Sequence, residues 1–149
     1  CGALTLVCDL LKGFLPVFLY IRVSGGTPLG LVLVMSAPAL GHIFPIWHKF
    51  DGGKGIAVSF GVLLGLAPNM LPVLTLALTY LLFSLVFKVN PHFYRLILTY
   101  STAFGIILLT SRSIPVTLGC AAVFVIVLLK IISVRDTYDK MTVRAAWKR

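Results

Sequence analysis

What most constrains this chain is its division into apolar runs, several of them long enough to cross a lipid bilayer. A helix needs about 20 apolar residues to span the hydrocarbon layer. Such runs cover Ala3–Ile21, Pro28–Trp47, Met70–Phe87, Phe93–Thr110 and Ile114–Val134, with a shorter one at Ile56–Ala67. Across 149 residues the chain is 59% hydrophobic and only 11% charged, with a mean hydropathy of +1.04. A soluble domain of this size needs far more polar surface. The expectation is an all-α, polytopic transmembrane bundle of about six segments, one of them short or broken. Pro68 and Pro72 put the break between the third and fourth segments. The third is then either a half-helix or one arm of a broken hairpin with Met70–Phe87.

Charge gives the sidedness. With six crossings, the loops after the second and fourth segments and the C-terminal tail hold Lys49, Lys54, Lys88, Arg95, Arg135, Lys140, Arg144, Lys148 and Arg149. The other side holds Arg22 and Arg112, while Lys12 and Lys130 fall inside segments. Cationic loops stay in the cytoplasm, so the basic side is expected to be cytoplasmic. The net charge of +9 is explained by these loops and by anionic lipid; no aromatic-interleaved basic face suggests nucleic acid. Two units follow: a helical membrane domain over 1–134, and a basic cytoplasmic tail over 135–149. The tail, with Tyr138 and Trp147, either lies as an interfacial helix or is simply solvated.

Cys1, Cys8 and Cys120 have no metal-ligand spacing and read as small buried hydrophobes, not disulfide partners. No His/Asp/Glu cluster has ligand spacing either. Gly30, Ala37, Ala39, Gly61, Gly65, Gly105, Gly119, Ala121 and Ala122 are candidates for close helix approach in lipid. Because the chain opens on Cys, an N-terminal piece is expected to be missing.

The chemistry concentrates in GHIFPIWHKFDGGKG, residues 41–55. Gly52, Gly53, Lys54 and Gly55 lead directly into the apolar segment IAVSFGVLLGLA. Backbone N–H groups without Cβ cover, an ammonium and a helix N-terminus together form an anion site. The pattern is not a Walker A motif, which requires Gly at the position of His48 and Ser or Thr at that of Gly55. The competing explanation is a tight interfacial turn with a snorkelling lysine. His42, His48 and His92 all lack a carboxylate four or five residues on, so a His–Asp acid–base dyad is not expected. Asp9 and Lys12, at i and i+3 in the first segment, form an internal ion pair or turn Lys12 toward the same cytoplasmic pocket.

The stretch GHIFPIWHKFDGGKGIAVSFGVLL resembles the second signature of the bacterial glycerol-3-phosphate acyltransferases that use acyl phosphate. Gly41, His42, Phe44, Pro45, Phe50, Gly52, Gly53, Lys54, Gly55 and Ala57 match it. The opening GALTLVCDLLKGFLPV is similar to the family's second helix, with Asp9, Lys12, Gly13 and Pro16 in place. The family's serine- and glycine-rich first motif is absent, and the His-Arg-x-Asn-Ile core of its third motif is not found in SVRDTYDKMTVRAAWKR. The resemblance implies a multi-pass enzyme of the bacterial plasma membrane with a cytoplasmic active face and no metal or coenzyme. It would transfer a fatty acyl group from acyl phosphate to glycerol 3-phosphate, giving lysophosphatidic acid for phospholipid synthesis. Under it, Lys54 and His42 are the catalytic candidates. Gly52, Gly53, Lys54, Gly55, Lys49 and Lys12 are the substrate-binding ones. The alternatives are a non-catalytic membrane scaffold that kept the fold, and a small anion transporter built on a broken helix.

Overall fold

The structure is a computed structural model; it describes residues 2–25, 27–44, 55–87, 89–90, 92–133 and 142–143. Its helices are α1 (Gly2–Ser24), α2 (Pro28–Ile43), α3 (Ile56–Leu64), α4 (Leu71–Leu81), α5 (His92–Thr110) and α6 (Ile114–Ser133). A π-helical turn, Leu82–Val86, extends α4. Among the described residues, the one addition to the expected all-α bundle is a two-residue antiparallel pairing of β1 (Val89–Asn90) with β2 (Thr142–Val143). α1 and α6 are each long and apolar enough to cross a membrane alone; α2, α4 with its π turn, and most of α5 are apolar but shorter.

Helix directions follow from which residues meet. A Cβ on Gly61 would strike the Leu10 carbonyl, and one on Gly65 would lie 2.9 Å from the Phe14 carbonyl and 2.8 Å from Val17 Cβ. Numbers rise together, so α3 runs parallel to α1. Gly119 abuts Met35, while near the other end Lys130 covers Phe44, so α6 runs parallel to α2. α5 returns along α4, with Arg95 Nη1 donating to Ser84 Oγ at 3.1 Å, and along α6, with Tyr100 and Phe104 both edge-on to Phe124. The start of α1, the end of α2, the start of α3 and the end of α6 therefore share one end of the bundle. β1–β2 pairs the connection before α5 with the tail after α6. The segments that charge assigns to one side thus meet at one end of the fold.

Glycine makes the two parallel pairs possible. At Gly13 an added Cβ would meet backbone, the Val58 carbonyl and the Val62 nitrogen 2.8 Å away. Lipid supplies little drive for helices to associate, so such close contact does. Gly30, Gly61, Gly65 and Gly119 are crowded in the way expected of them and Ala39 is buried, but Gly105 has nothing within 4 Å and Ala37 is exposed.

Several boundaries move. α2 ends at Ile43 and not at Trp47, its last turn closed by Phe44 N–H on the Leu40 carbonyl at 2.8 Å. α3 ends at Leu64, and the N–H groups of Leu66, Ala67 and Asn69 then bond back into a turn. At 1.5 Å per residue, nine residues are too short to cross, so the half-length segment is real. Cys120 is buried, but Cys8 is exposed. α1 is little buried along its length and presents Leu4, Leu11, Leu15 and Leu19 outward, so Cys8 belongs to an apolar outer face.

Candidate functional site

Of the residues assigned to a site, His42, Gly55 and Lys12 lie within the described structure. Lys49, Gly52, Gly53 and Lys54 fall in 45–54, outside the described residues, as does His48. The two described ends of that segment meet. A Cβ on Gly55 would lie 2.7 Å from Ile43 Cδ1, at the end of α2, and 3.4 Å from Val127 Cγ2 of α6.

Gly55 begins α3 in the left-handed region, with φ 77° and ψ 5°. L side chains pay about 1–2 kcal/mol there, and Ile43 leaves no room for one, so glycine is required twice over. Gly55 carries no side-chain cap. Its carbonyl accepts the Ser59 N–H at 2.9 Å, which starts the helix, while the first amides of an α-helix have no partner within it. With the helix dipole, these amides favour an anion.

α3 is held in place from inside the bundle. Ser59 Oγ donates to the Ile56 carbonyl at 2.7 Å, so its remaining capacity is to accept, and Tyr100 Oη donates to it at 2.6 Å. Both side chains are buried. Tyr100 is itself fixed by an edge-to-face contact with Phe124, centroids 5.1 Å apart.

His42 and Lys12 lie at the same end, joined through Asp9. Lys12 Nζ is 3.8 Å from Asp9 Oδ1, the internal pair read from their spacing. His42 Nδ1 is 3.4 Å from the same oxygen, a contact that pattern reading missed. Asp9 and His42 have side chains only 14% and 18% exposed, whereas that of Lys12 is 69% exposed. The Asp9–His42 contact joins α1 to the last turn of α2, just before the signature continues. A signal for it existed: α1 and α2 form a hairpin, and the two residues are nearly equidistant from its turn. Lys130, set aside as a residue within a segment, is also buried at this end.

Six helices with apolar outer faces, glycine-mediated contacts and a polar, cation-bearing end define a multi-pass helical membrane protein. A profile of the glycerol-3-phosphate acyltransferase family matches residues 1–142, and the chain belongs to that family. A glycerol-3-phosphate acyltransferase of Myxococcus xanthus is 38% identical over 127 residues, covering 85% of this chain and 64% of that protein. One from Burkholderia pseudomallei is 34% identical over 125 residues, covering 84% and 61%. The chain thus spans a little under two thirds of the length of these relatives. Two crystal structures of PlsY, an integral membrane glycerol 3-phosphate acyltransferase, share the fold. The lysophosphatidic acid form superposes with a TM-score of 0.70 over 87% of this chain and 64% of that one, and the glycerol 3-phosphate form with 0.71 over 89% and 64%, both at 23% identity.

Proposed function

We propose that this chain is an acyltransferase that moves a fatty acyl group from acyl phosphate to the 1-hydroxyl of glycerol 3-phosphate. Lysophosphatidic acid and phosphate are the products. The observation that carries this is the signature from Gly41 to Ala57, whose described ends pack together at the start of α3 beside Asp9, Lys12 and His42. Family membership over residues 1–142 and relatives bearing that name support it.

The chemistry suits a site at the membrane surface. Both substrates carry a phosphoryl group, and one carries a long acyl chain that stays in lipid while its head meets cations. The hydroxyl oxygen attacks the acyl carbon, the carbon–oxygen bond to phosphate breaks, and the phosphate departs with the electron pair. Phosphate is a good leaving group, so orientation and charge stabilisation supply much of the acceleration. Lys54 and the amides of Gly53 and Gly55 bind phosphate and stabilise the developing charge. A substrate phosphate takes the hydroxyl proton. Lys49 and Lys12 add cations for the substrate phosphates. His42, with Nδ1 toward Asp9, fixes the end of α2. The site faces the cytoplasm of a bacterial plasma membrane, and the basic tail over 135–149 lies on that side.

The test mixes the purified chain in lipid with acyl phosphate and labelled glycerol 3-phosphate. Labelled lysophosphatidic acid is expected from the unsubstituted protein, and background levels from Lys54→Met with its helical content unchanged. Activity retained in Lys54→Met removes Lys54 from the mechanism. No product from the unsubstituted chain favours a scaffold that kept only the fold.

A further inference from the structure

The end of the bundle opposite the signature carries a polar cleft of about 340 Å³, where the turn before α4 meets the turn between α5 and α6. Asn69, Thr110, Ser111, Arg112 and Ser113 line it with Leu71. The other described lysines and arginines have partners in the protein. Lys12 is beside Asp9, Arg22 stands over Phe18, Arg95 donates to Ser84 and Lys130 covers Phe44. Among the described residues, Arg112 alone has none. Earlier on α5 the threonines bond within the helix, Thr99 to the Arg95 carbonyl at 2.8 Å and Thr102 to that of Leu98 at 2.7 Å. The side chains of Asn69, Thr110, Ser111 and Ser113 make no hydrogen bond to the described residues. A second cleft, about 330 Å³, lies between the heads of α2 and α6 at the same end. Its lining is apolar, with Leu29 and Val32 from α2, Ile114 and Leu118 from α6, and Pro28 and Pro115 beside them. Consecutive residues, Ser113 and Ile114, line one cleft each, so both open at the head of α6.

From this pairing we propose that the end of the bundle remote from the signature holds a phospholipid, with its phosphodiester on Arg112 and one acyl chain in the α2–α6 groove. A phosphodiester carries one negative charge, which one guanidinium matches, and arginine meets phosphate oxygens through two parallel N–H donors. The three hydroxyls and the Asn69 amide can donate to the remaining oxygens. The depth suits a headgroup. α6 is long and apolar enough to cross alone, so its first residues stand where hydrocarbon gives way to headgroups. Leu29, Ile114 and Leu118 are exposed and face acyl chains there. A free anion leaves the groove unused, and a wholly apolar ligand leaves the cation unmatched; a phospholipid fills both. The site is separate from the signature and does not depend on the function proposed above.

The test takes the chain in maltoside micelles and measures binding by native mass spectrometry, with phosphatidylglycerol, diacylglycerol and inorganic phosphate as separate ligands. Phosphatidylglycerol is expected to stay bound to the unsubstituted protein at concentrations where the other two do not. Arg112→Gln is expected to weaken that binding about tenfold, the loss of a charge-assisted contact. Leu118→Trp, which fills the groove, is expected to weaken it as well. Arg22→Gln removes the other described cation at this end and is expected to bind as the unsubstituted protein does. All three are surface positions, where substitution usually changes stability little. Lipid held at the signature end is common to the four proteins, so the differences between them report this site. Unchanged affinity in Arg112→Gln, or an equal loss in Arg22→Gln, overturns the site and leaves only general charge attraction. Inorganic phosphate bound as tightly as the lipid, or full affinity in Leu118→Trp, overturns the phospholipid as its occupant.

Discussion

The Ser59–Tyr100 hydrogen bond allows an unequal pair of substitutions to be predicted. Tyr100→Phe removes the donor and keeps the ring, so the edge-to-face contact with Phe124 survives. Ser59 still donates to the Ile56 carbonyl and loses only a partner it accepted from. The expected cost is that of one interhelical hydrogen bond in a membrane, about 0.6 kcal/mol and at most about 1.7 kcal/mol. Ser59→Ala does something worse. It strands the Tyr100 hydroxyl, whose side chain is 1% exposed, without its acceptor, and an unsatisfied buried donor costs about 1–3 kcal/mol. The double variant strands nothing and should be close to Tyr100→Phe alone, leaving the cycle short of additive by roughly 1–2 kcal/mol. Equilibrium unfolding by SDS titration in mixed micelles measures all four proteins. An additive double variant, or a Tyr100→Phe that costs as much as Ser59→Ala, refutes the donor assignment.

Other expectations follow from contacts just as specific. Gly61→Leu drives a side chain into the Leu10 carbonyl, which belongs to a helix backbone and cannot step aside, so about 3 kcal/mol or more of stability is lost; Gly105→Leu, at a glycine with nothing within 4 Å, is the matched control and should be near neutral in the same titration. Gly55→Ala meets both the positive φ and Ile43 Cδ1, so it is expected to cost at least about 1–2 kcal/mol and to reduce acyl transfer more than the stability loss explains, measured as kcat in folded protein. Cysteines placed at Arg22 and Arg112 in a chain otherwise free of cysteine are expected to react with a membrane-impermeant maleimide added outside intact cells, and a cysteine at Arg149 only after lysis; the reverse pattern inverts the topology.

How much of this was legible in the sequence depended on the range of the interaction. Segment number and the short third helix were visible because hydropathy and Pro68 and Pro72 are local signals. The end of α2 was misplaced by four residues because Pro45 to Trp47 stay apolar and apolar character alone does not stop a helix. The glycine–lysine run was conspicuous because glycine has no reason to cluster beside apolar helices except a turn or a close approach. Contacts between helices distant in sequence were not visible. Ser59 and Tyr100 are 41 residues apart, and an isolated serine in an apolar helix more often bonds its own backbone. Gly13 went unnoticed as a contact because its partner face, Val58 to Val62, carries no matching glycine until Gly61. Lys130 was placed in the sequence only as a residue inside a segment, and packing shows that it is buried.

The shortness of α3 is what ties fold to site. Nine residues rise about 13.5 Å, less than half of a hydrocarbon core about 30 Å thick, so α3 cannot be positioned by matching its length to the bilayer. Protein contacts must hold it, and they do so along its length: Leu10 and Gly13 of α1 against Gly61 and Val58 to Val62, Tyr100 of α5 at Ser59, and Ile43 and Val127 at Gly55. Most of these contacts are to backbone or to a buried hydroxyl, which fixes depth as well as direction. A helix clamped in this way presents its first amides at one height and in one orientation. Acyl transfer from a good leaving group depends most on such positioning. Under the proposed function, that loss of freedom is met during folding and not at each turnover. Loosening any one clamp should therefore reduce rate before it unfolds the bundle.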